Sequence, residues 1–529
     1  MKKSLYYTLL GLLVCCHARG QAFGPDQLRE ATISSVHKAM YSGKLTAVQL
    51  VQLYLDRIEA YDKKGPYINA LIMVNPKALS EARRLDSLYK LTGKPVGPLH
   101  GIPVIVKDNY DTYDMPTTNG TLAMKNSIPP DDAYIVRKIR EAGAIIIAKS
   151  NLAEFAFSGQ FSVSSILPGY TRNPYDTKRT AAGSSGGTAA AVASDFGTIG
   201  LGTDTGSSIR GPASHQSLVG FRCTVGLISR DGIVPLALTN DTGGPICRTV
   251  EDAVKVLDVI AGYDKADTVT RLSQGKVPPG YQEFLKKDGL KGKRIGVFRQ
   301  MITPKNSDPQ VYALFNKALD ELRAAGAIVI DSVKVMEVDT INKSFGQQSQ
   351  LRRDFNAYLA SLGPNAPHKS LTSIIKSKGF HPYLEKGLLD ADADTLVPEQ
   401  NPAWAKNMAL RQKLRELLLK AMDSTGVDAL VYPSFSYPPR LIGDLNTPAG
   451  TNNNALSPPT GFPAFSVPMG FTYDQLPAGI QFFGRPFSEP TLIEICYGYE
   501  QATHHRLPPA STPPLAAKKT VQKSTKSSR

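Results

Sequence analysis

The chain has 529 residues, 42% of them hydrophobic and 20% charged, ordinary proportions for a globular protein with a large core. The net charge of +15 would suit a nucleic-acid partner, but Lys2, Lys3, Arg19, Lys518, Lys519, Lys523, Lys526 and Arg529 lie at the two ends, and removing those eight leaves +7 on the body. That body carries no basic run interleaved with aromatics, so no nucleic-acid partner is expected.

Residues 1–20 read as a signal peptide. Two lysines precede an apolar run from Leu5 to Cys16, and small residues follow near Ala18 and Gly20. The run is too short for stable membrane insertion. The expected mature protein is exported, periplasmic or extracellular, and begins near Gln21. Cys15 and Cys16 would leave with the leader. Cys223, Cys247 and Cys496 remain, too widely spaced for a disulfide framework, and read as buried free thiols.

Residues 26–62 carry helix-compatible apolar spacing through Ile33, Val36, Leu45, Val48, Leu53 and Ile58. His100 to Val106 is a short apolar run opened by Gly and Pro, which predicts a buried strand with Lys107 at its end. Asp131-Asp132 predicts a cap for a helix whose Ala133, Val136, Ile139 and Ala142 share one face, stopped by Gly143. Ala144 to Ala148 predicts a second buried strand. Helix followed by an all-apolar strand implies α/β layering around a largely buried sheet.

A Gly/Ser/Thr-rich stretch spans about 180–245, with a small-residue helix expected over Gly186–Ser194 and a strand over Phe196–Leu201. Residues 265–425 are less patterned and more helical. Strands follow at Ala429–Tyr432 and Phe465–Met469, then a helix over 490–503. The basic end, 509–529, is polar and reads as disordered.

Chemistry concentrates in Ala182-Gly183-Ser184-Ser185-Gly186-Gly187 and Gly202-Thr203-Asp204-Thr205-Gly206-Ser207-Ser208-Ile209-Arg210. Glycines beside serines let a substrate approach the backbone, and a turn feeding a helix aims several N–H groups one way. A serine needs a positioned base. The conspicuous candidate is Lys107, whose burial would lower its pKa. A flexible loop or a phosphate cradle is the plainer reading of such a stretch. The phosphate-loop pattern fails, since no Gly-Lys-Ser/Thr follows, and neither serine has the flanking pair of a G-x-S-x-G elbow.

These two segments resemble the amidase signature family. The resemblance extends to Gly101-Ile102-Pro103 with Lys107-Asp108-Asn109, to Val219-Gly220-Phe221, Asp241 to Pro245 and Arg248 to Ala253, and to Leu476-Pro477-Ala478-Gly479 and Gly484-Arg485. It covers roughly residues 26–508. It implies a single large α/β domain with a central mixed β-sheet flanked by helices, and no cofactor or metal. It also implies hydrolysis of carbon–nitrogen amide bonds by Ser208 as nucleophile, Ser184 as relay after a cis peptide and Lys107 as base. Backbone N–H groups of Thr205, Gly206, Ser207 and Ser208 would form the oxyanion hole. Two departures stand out. Ala182 replaces a frequent glycine, and Ser207 stands where glycine is usual, so Ser207 is strained if that site needs positive φ, or else its side chain touches substrate.

Asp204 and Arg210 are expected to brace the turn as a pair. Ser185 either orients Ser184 or bonds locally. Phe155, Phe157 and Phe161 either line an acyl pocket or pack in the core; Trp404, Tyr432 and Tyr437 are candidates for the cleft. His504-His505 reads as a solvated helix end, because no third ligand accompanies it. Thr224 to Ala253 and Glu489 to Pro509 resemble bacterial peptide amidases, which makes a small-molecule or peptide amide the expected partner. The alternatives are the glutaminase subunit of a tRNA-dependent amidotransferase, which the leader argues against, and a non-catalytic binding protein on the same scaffold, which the intact Lys107, Ser184 and Ser208 argue against.

Overall fold

A computed structural model describes residues 23–157, 164–345, 350–444 and 446–516. The expected signal peptide, Phe161 and residues 517–529 lie outside the described residues.

Among the described residues eleven strands form one mixed sheet. In spatial order they are Leu71–Val74, Ile145–Ser150, Pro103–Lys107, Ile199–Asp204, Thr242–Cys247, Val219–Arg222, Ala464–Thr472, Leu476–Phe483, Ala429–Pro433, Arg294–Val297 and Ile328–Asp331. Pro103–Lys107 runs parallel to both neighbours, whereas Ile199–Asp204 is parallel on one side and antiparallel to Thr242–Cys247 on the other. The C-terminal ends of these two parallel strands therefore emerge on one edge, the place where open α/β sheets hold their ligands.

Helices cover the sheet, and each has a local reason. Ala47–Tyr61 starts at Thr46, whose hydroxyl accepts the Gln49 N–H while Gln49 reaches back to the Thr46 N–H. Its Leu50, Val51 and Tyr54 face inward. Gly186–Ala193 is buried all round, which only small residues permit: a side chain at Gly187 would come within 2.7 Å of the Ala70 carbonyl. Pro402–Thr425 buries Leu414, Leu418 and Met422 against Leu430, Tyr432 and Phe483.

Several expectations need correction. The helix Tyr134–Glu141 begins at Ala133 with no side-chain cap. Asp132 is taken instead by the Tyr113 N–H at 3.0 Å and by Arg140 at 3.1 Å. The strand expected over 196–201 lies three residues later, because its register with Pro103–Lys107 starts at Val104 and Ile199. Among the described residues the region 265–425 supplies six α-helices and also two strands of the sheet, Arg294–Val297 and Ile328–Asp331. The folded body runs past 508: Arg57 donates to the carbonyls of Thr512 at 2.8 Å and Pro513 at 2.9 Å. Cys223, Cys247 and Cys496 are buried free thiols, as expected. Among the described residues no helix is long and apolar enough to cross a membrane.

Candidate active site

Lys107 ends its strand fully buried and turns its amine onto two hydroxyls. Nζ lies 2.7 Å from Ser184 Oγ and 2.6 Å from Thr203 Oγ1. Asn109 Nδ2 donates to the same Thr203 oxygen at 3.1 Å, which fixes that hydroxyl beside the amine. Burial pulls the Lys107 pKa down to about 7, against the smaller upward pull of Asp204 and Asp241. Asp108 faces elsewhere, pairing with Lys149 at 3.1 Å.

The peptide between Gly183 and Ser184 is cis. The Ser184 carbonyl accepts the Ala153 N–H at 3.0 Å, and the Ser185 N–H donates to the Ser208 carbonyl at 3.2 Å. The second bond ties the two serine-bearing turns together. The Ser185 hydroxyl donates to the Thr203 carbonyl at 3.1 Å and accepts the Thr203 N–H at 3.3 Å. Of its two expected roles, local bonding is the one seen, and it locks the Ser184 turn onto the neighbouring strand.

Asp204 organises the second turn. Its Oδ2 accepts the N–H groups of Ile209 at 3.1 Å and Arg210 at 3.4 Å, and Arg210 Nε at 3.1 Å. Arg222 meets Oδ1 at 3.1 Å. Burial alone would raise the Asp204 pKa; Arg210 and then Arg222 overcome it and hold the carboxylate at about 2. The expected Asp204–Arg210 brace is present, joined by a second guanidinium that nothing in the motif announced. Thr205 Oγ1 donates to Asp241 Oδ1 at 2.5 Å, while Asp241 Oδ2 accepts the N–H groups of Leu236 and Ala237, each at 2.9 Å.

Gly183 and Thr205 to Ser208 line a cleft of about 740 Å³, with Trp404, Met408, Gln350, Asn454 and Arg411 among its other walls. Ser208 is 8% exposed, whereas Lys107 and Ser184 are fully buried, so of the three only Ser208 is open to the cleft. Ser207 lines the cleft without positive φ, so the expected strain is absent there. The left-handed position is Ala182, at φ 52°.

The remaining candidates separate cleanly. Trp404 lines the cleft, whereas Tyr432 is in the core beside Phe298. Tyr437 packs against Gly450, and its carbonyl meets His215. Phe155 packs on Phe355 in a core under the 351–391 helices, and Phe157 joins it from the edge. His505 pairs with Glu321 at 2.8 Å. Thr203 and Asp241, both inside recognised motifs, received no role from the sequence; Arg222 gave no signal beyond being a cation in an apolar run.

Fold and site together define a hydrolase of carbon–nitrogen amide bonds. The chain belongs to the amidase family, whose sequence model matches residues 49–493. It is 36% identical over 510 residues to a probable amidase of Arabidopsis thaliana, covering 91% of this chain and 92% of that one. It is 32% identical to a glutamyl-tRNA(Gln) amidotransferase subunit from Symbiobacterium thermophilum, covering 90% and 98%. The crystal structure of the peptide amidase of Stenotrophomonas maltophilia superposes with a TM-score of 0.80 at 35% identity, covering 91% of this chain and 98% of that one.

Proposed function

We propose that the chain hydrolyses amides through an acyl-enzyme on Ser208. The observation that carries this reading is the 2.7 Å contact between Lys107 Nζ and Ser184 Oγ, both fully buried, with the Ser184 turn tied by the Ser185 N–H to Ser208 on the cleft wall. A lysine with a pKa of about 7 is substantially neutral at neutral pH and can accept a proton. Lys107 takes the Ser184 hydroxyl proton, Ser184 takes the proton of Ser208, and Ser208 Oγ attacks the amide carbonyl. The N–H groups of Thr205, Gly206, Ser207 and Ser208 hold the oxyanion. As the C–N bond breaks, Ser184 hands its proton to the leaving amine and recovers one from Lys107. Water then releases the acid by the same relay run over the acyl-enzyme.

Peptide amides are the substrate class this reading favours. A cleft of about 740 Å³ accommodates several residues, at the large end of the roughly 300–1,000 Å³ usual for ligand sites. The likeness to the Stenotrophomonas enzyme supports the same class. The charged start and short apolar run of residues 1–20 support export. The test is to incubate purified protein with peptide amides, anilides and free glutamine, following ammonia or amine release and trapping the acyl-enzyme for mass spectrometry. An acyl group on Ser208 from a peptide amide is the expected result. Release of ammonia from glutamine alone would favour the amidotransferase alternative.

A further inference from the structure

A second cavity of about 510 Å³ adjoins the catalytic cleft and shares Thr239, Met408 and Arg411 with it. Four arginines line it, Arg230, Arg353, Arg411 and Arg415, and among the described residues no carboxylate does. Two of these charges are already answered. Arg230 grips Asp267 with two bonds, at 2.8 and 2.6 Å, and Arg353 donates to Asp354 at 2.7 Å. The other two are not. Arg411 donates to Asn240 Oδ1 and to the carbonyls of Thr239 and Pro458, and Arg415 Nε donates to the Thr460 carbonyl at 2.7 Å. Among the described residues neither forms a salt bridge, and Arg411 Nε is buried with no hydrogen-bond partner.

Arg411 and Arg415 are four residues apart on the helix Pro402–Thr425, so they share a face, and both line this cavity. Burial, then the like charges of Arg415 and Arg222, draw Arg411 down to about 10, which still leaves it a cation at neutral pH. A buried and a half-buried guanidinium side by side, with only neutral acceptors, leave an unanswered positive charge. The rest of the wall is apolar, with Val225, Leu272, Phe462 and Phe487.

We infer that this cavity is a specificity subsite for a carboxylate carried on an apolar stem, placed away from the scissile amide on the acyl side of the substrate. The inference rests on the reading of Ser208 as the reacting residue, since the shared wall at Arg411 is what joins the subsite to the cleft. For a peptide amide the group would be an acidic side chain upstream of the amidated residue.

The chain's single tryptophan, Trp404, lines the cleft and stacks under Arg353, with the guanidinium 5.4 Å from its ring centre. Its fluorescence therefore reports occupancy without turnover. The experiment titrates the Ser208→Ala protein with N-acetylated tetrapeptide amides carrying one Glu at each position in turn, each beside its Gln counterpart. Bonds to a charged group lead us to expect binding tighter by about tenfold or more at one position for Glu over Gln. That preference should shrink with added salt, vanish in Ser208→Ala/Arg415→Gln and survive in part in Ser208→Ala/Arg415→Lys. Equal binding of Glu and Gln peptides at every position, a preference indifferent to salt, or its persistence in Arg415→Gln would overturn the inference. The salt titration needs no arginine variant, so it decides even if Arg415→Gln does not fold. A Glu preference in binding, with no hydrolysis of any peptide amide by wild type, would instead sink the peptide-amide reading of the Ser208 site and reduce the cavity to a carboxylate-binding site.

Discussion

Thr203 stands beside Ser184 as the second hydroxyl on the Lys107 amine, at 2.6 Å against 2.7 Å. The amine is thus held by two neutral oxygens and, among the described residues, forms no salt bridge, so the upward pull of Asp204 and Asp241 does not offset the cost of burial.

The first consequence is a pH signature. With the Lys107 pKa near 7, kcat/KM on a peptide amide should fall as pH drops through that value, by about tenfold per unit once well below it. Lys107→Ala should lose this acidic limb, together with on the order of 10²–10⁴ of the rate. A variant that keeps both the rate and the limb would remove Lys107 as the base.

Stability should move the other way. The Lys107 pKa falls from 10.5 in the open chain to about 7 in the fold, so between those values the unfolded chain binds the extra proton. Stability from this group therefore rises with pH across that window. Lys107→Met carries no such proton. Its melting temperature, compared with wild type, should be relatively most favourable near pH 7 and lose ground steadily towards pH 10. A difference constant with pH would show that Lys107 is not desolvated.

Nucleophile and relay should separate under a fluorophosphonate probe. Ser208→Ala abolishes both labelling and turnover. Ser184→Ala keeps the nucleophile, so slow labelling persists while amide turnover drops by orders of magnitude. Equal, complete loss of labelling in both, with folding intact by circular dichroism, would break the assignment.

Ala182 and Ser207 should respond oppositely to glycine. Ala182 sits at φ 52°, where a β-carbon costs roughly 1–2 kcal/mol, so Ala182→Gly should stabilise by about 1 kcal/mol in denaturant titration. Ser207 has no such conformation. Ser207→Gly should gain nothing and lose up to about 1 kcal/mol through chain entropy, with activity largely kept. Inactivation would reveal a role for the Ser207 hydroxyl.

Asp204→Asn should be severe. It leaves Arg210 and Arg222 buried with their shared charge removed, a change usually worth about 3–5 kcal/mol. In wild type the same carboxylate, held at about 2 against 3.8 when unfolded, contributes stability above pH 3.8 that is lost as pH falls from there to 2. The melting temperatures of the two proteins should therefore draw together as pH falls from 3.8 towards 2.

Apolar runs made much of the architecture legible. Val104 to Val106 and Ile145 to Ala148 can only be buried strands, and both are. Glycine misled elsewhere. Thr242-Gly243-Gly244-Pro245 has the composition of a loop yet forms a fully buried strand. Its glycines are there because a side chain at Gly244 would strike the Phe221 carbonyl and one at Gly243 would come within 2.7 Å of the Tyr110 hydroxyl. Leu476–Phe483 hid in the same way: a side chain at Gly479 would come within 2.8 Å of Ser214 Oγ. At the site, the motif named Lys107, Ser184 and Ser208; the structure sets Lys107 on the Ser184 hydroxyl and ties the Ser184 and Ser208 turns through the Ser185 N–H. Thr203 and Asp241 were visible as letters only, since their work depends on register between strands and on a turn closing from 36 residues away.

Strand order has a consequence for how the chain is made. Ala464–Thr472 and Leu476–Phe483 occupy the middle of the sheet, between six strands drawn from residues before 248 and three from 294–433. Without the hairpin at 464–483 the two groups have no strand to join them, and each would end in a row of unpaired backbone groups. An N-terminal fragment stopping short of that hairpin would expose two sticky edges at once. Nonsense truncations near the end of this gene should therefore yield insoluble protein, and a split-protein reporter cut between 433 and 464 should reassemble only when the hairpin is supplied.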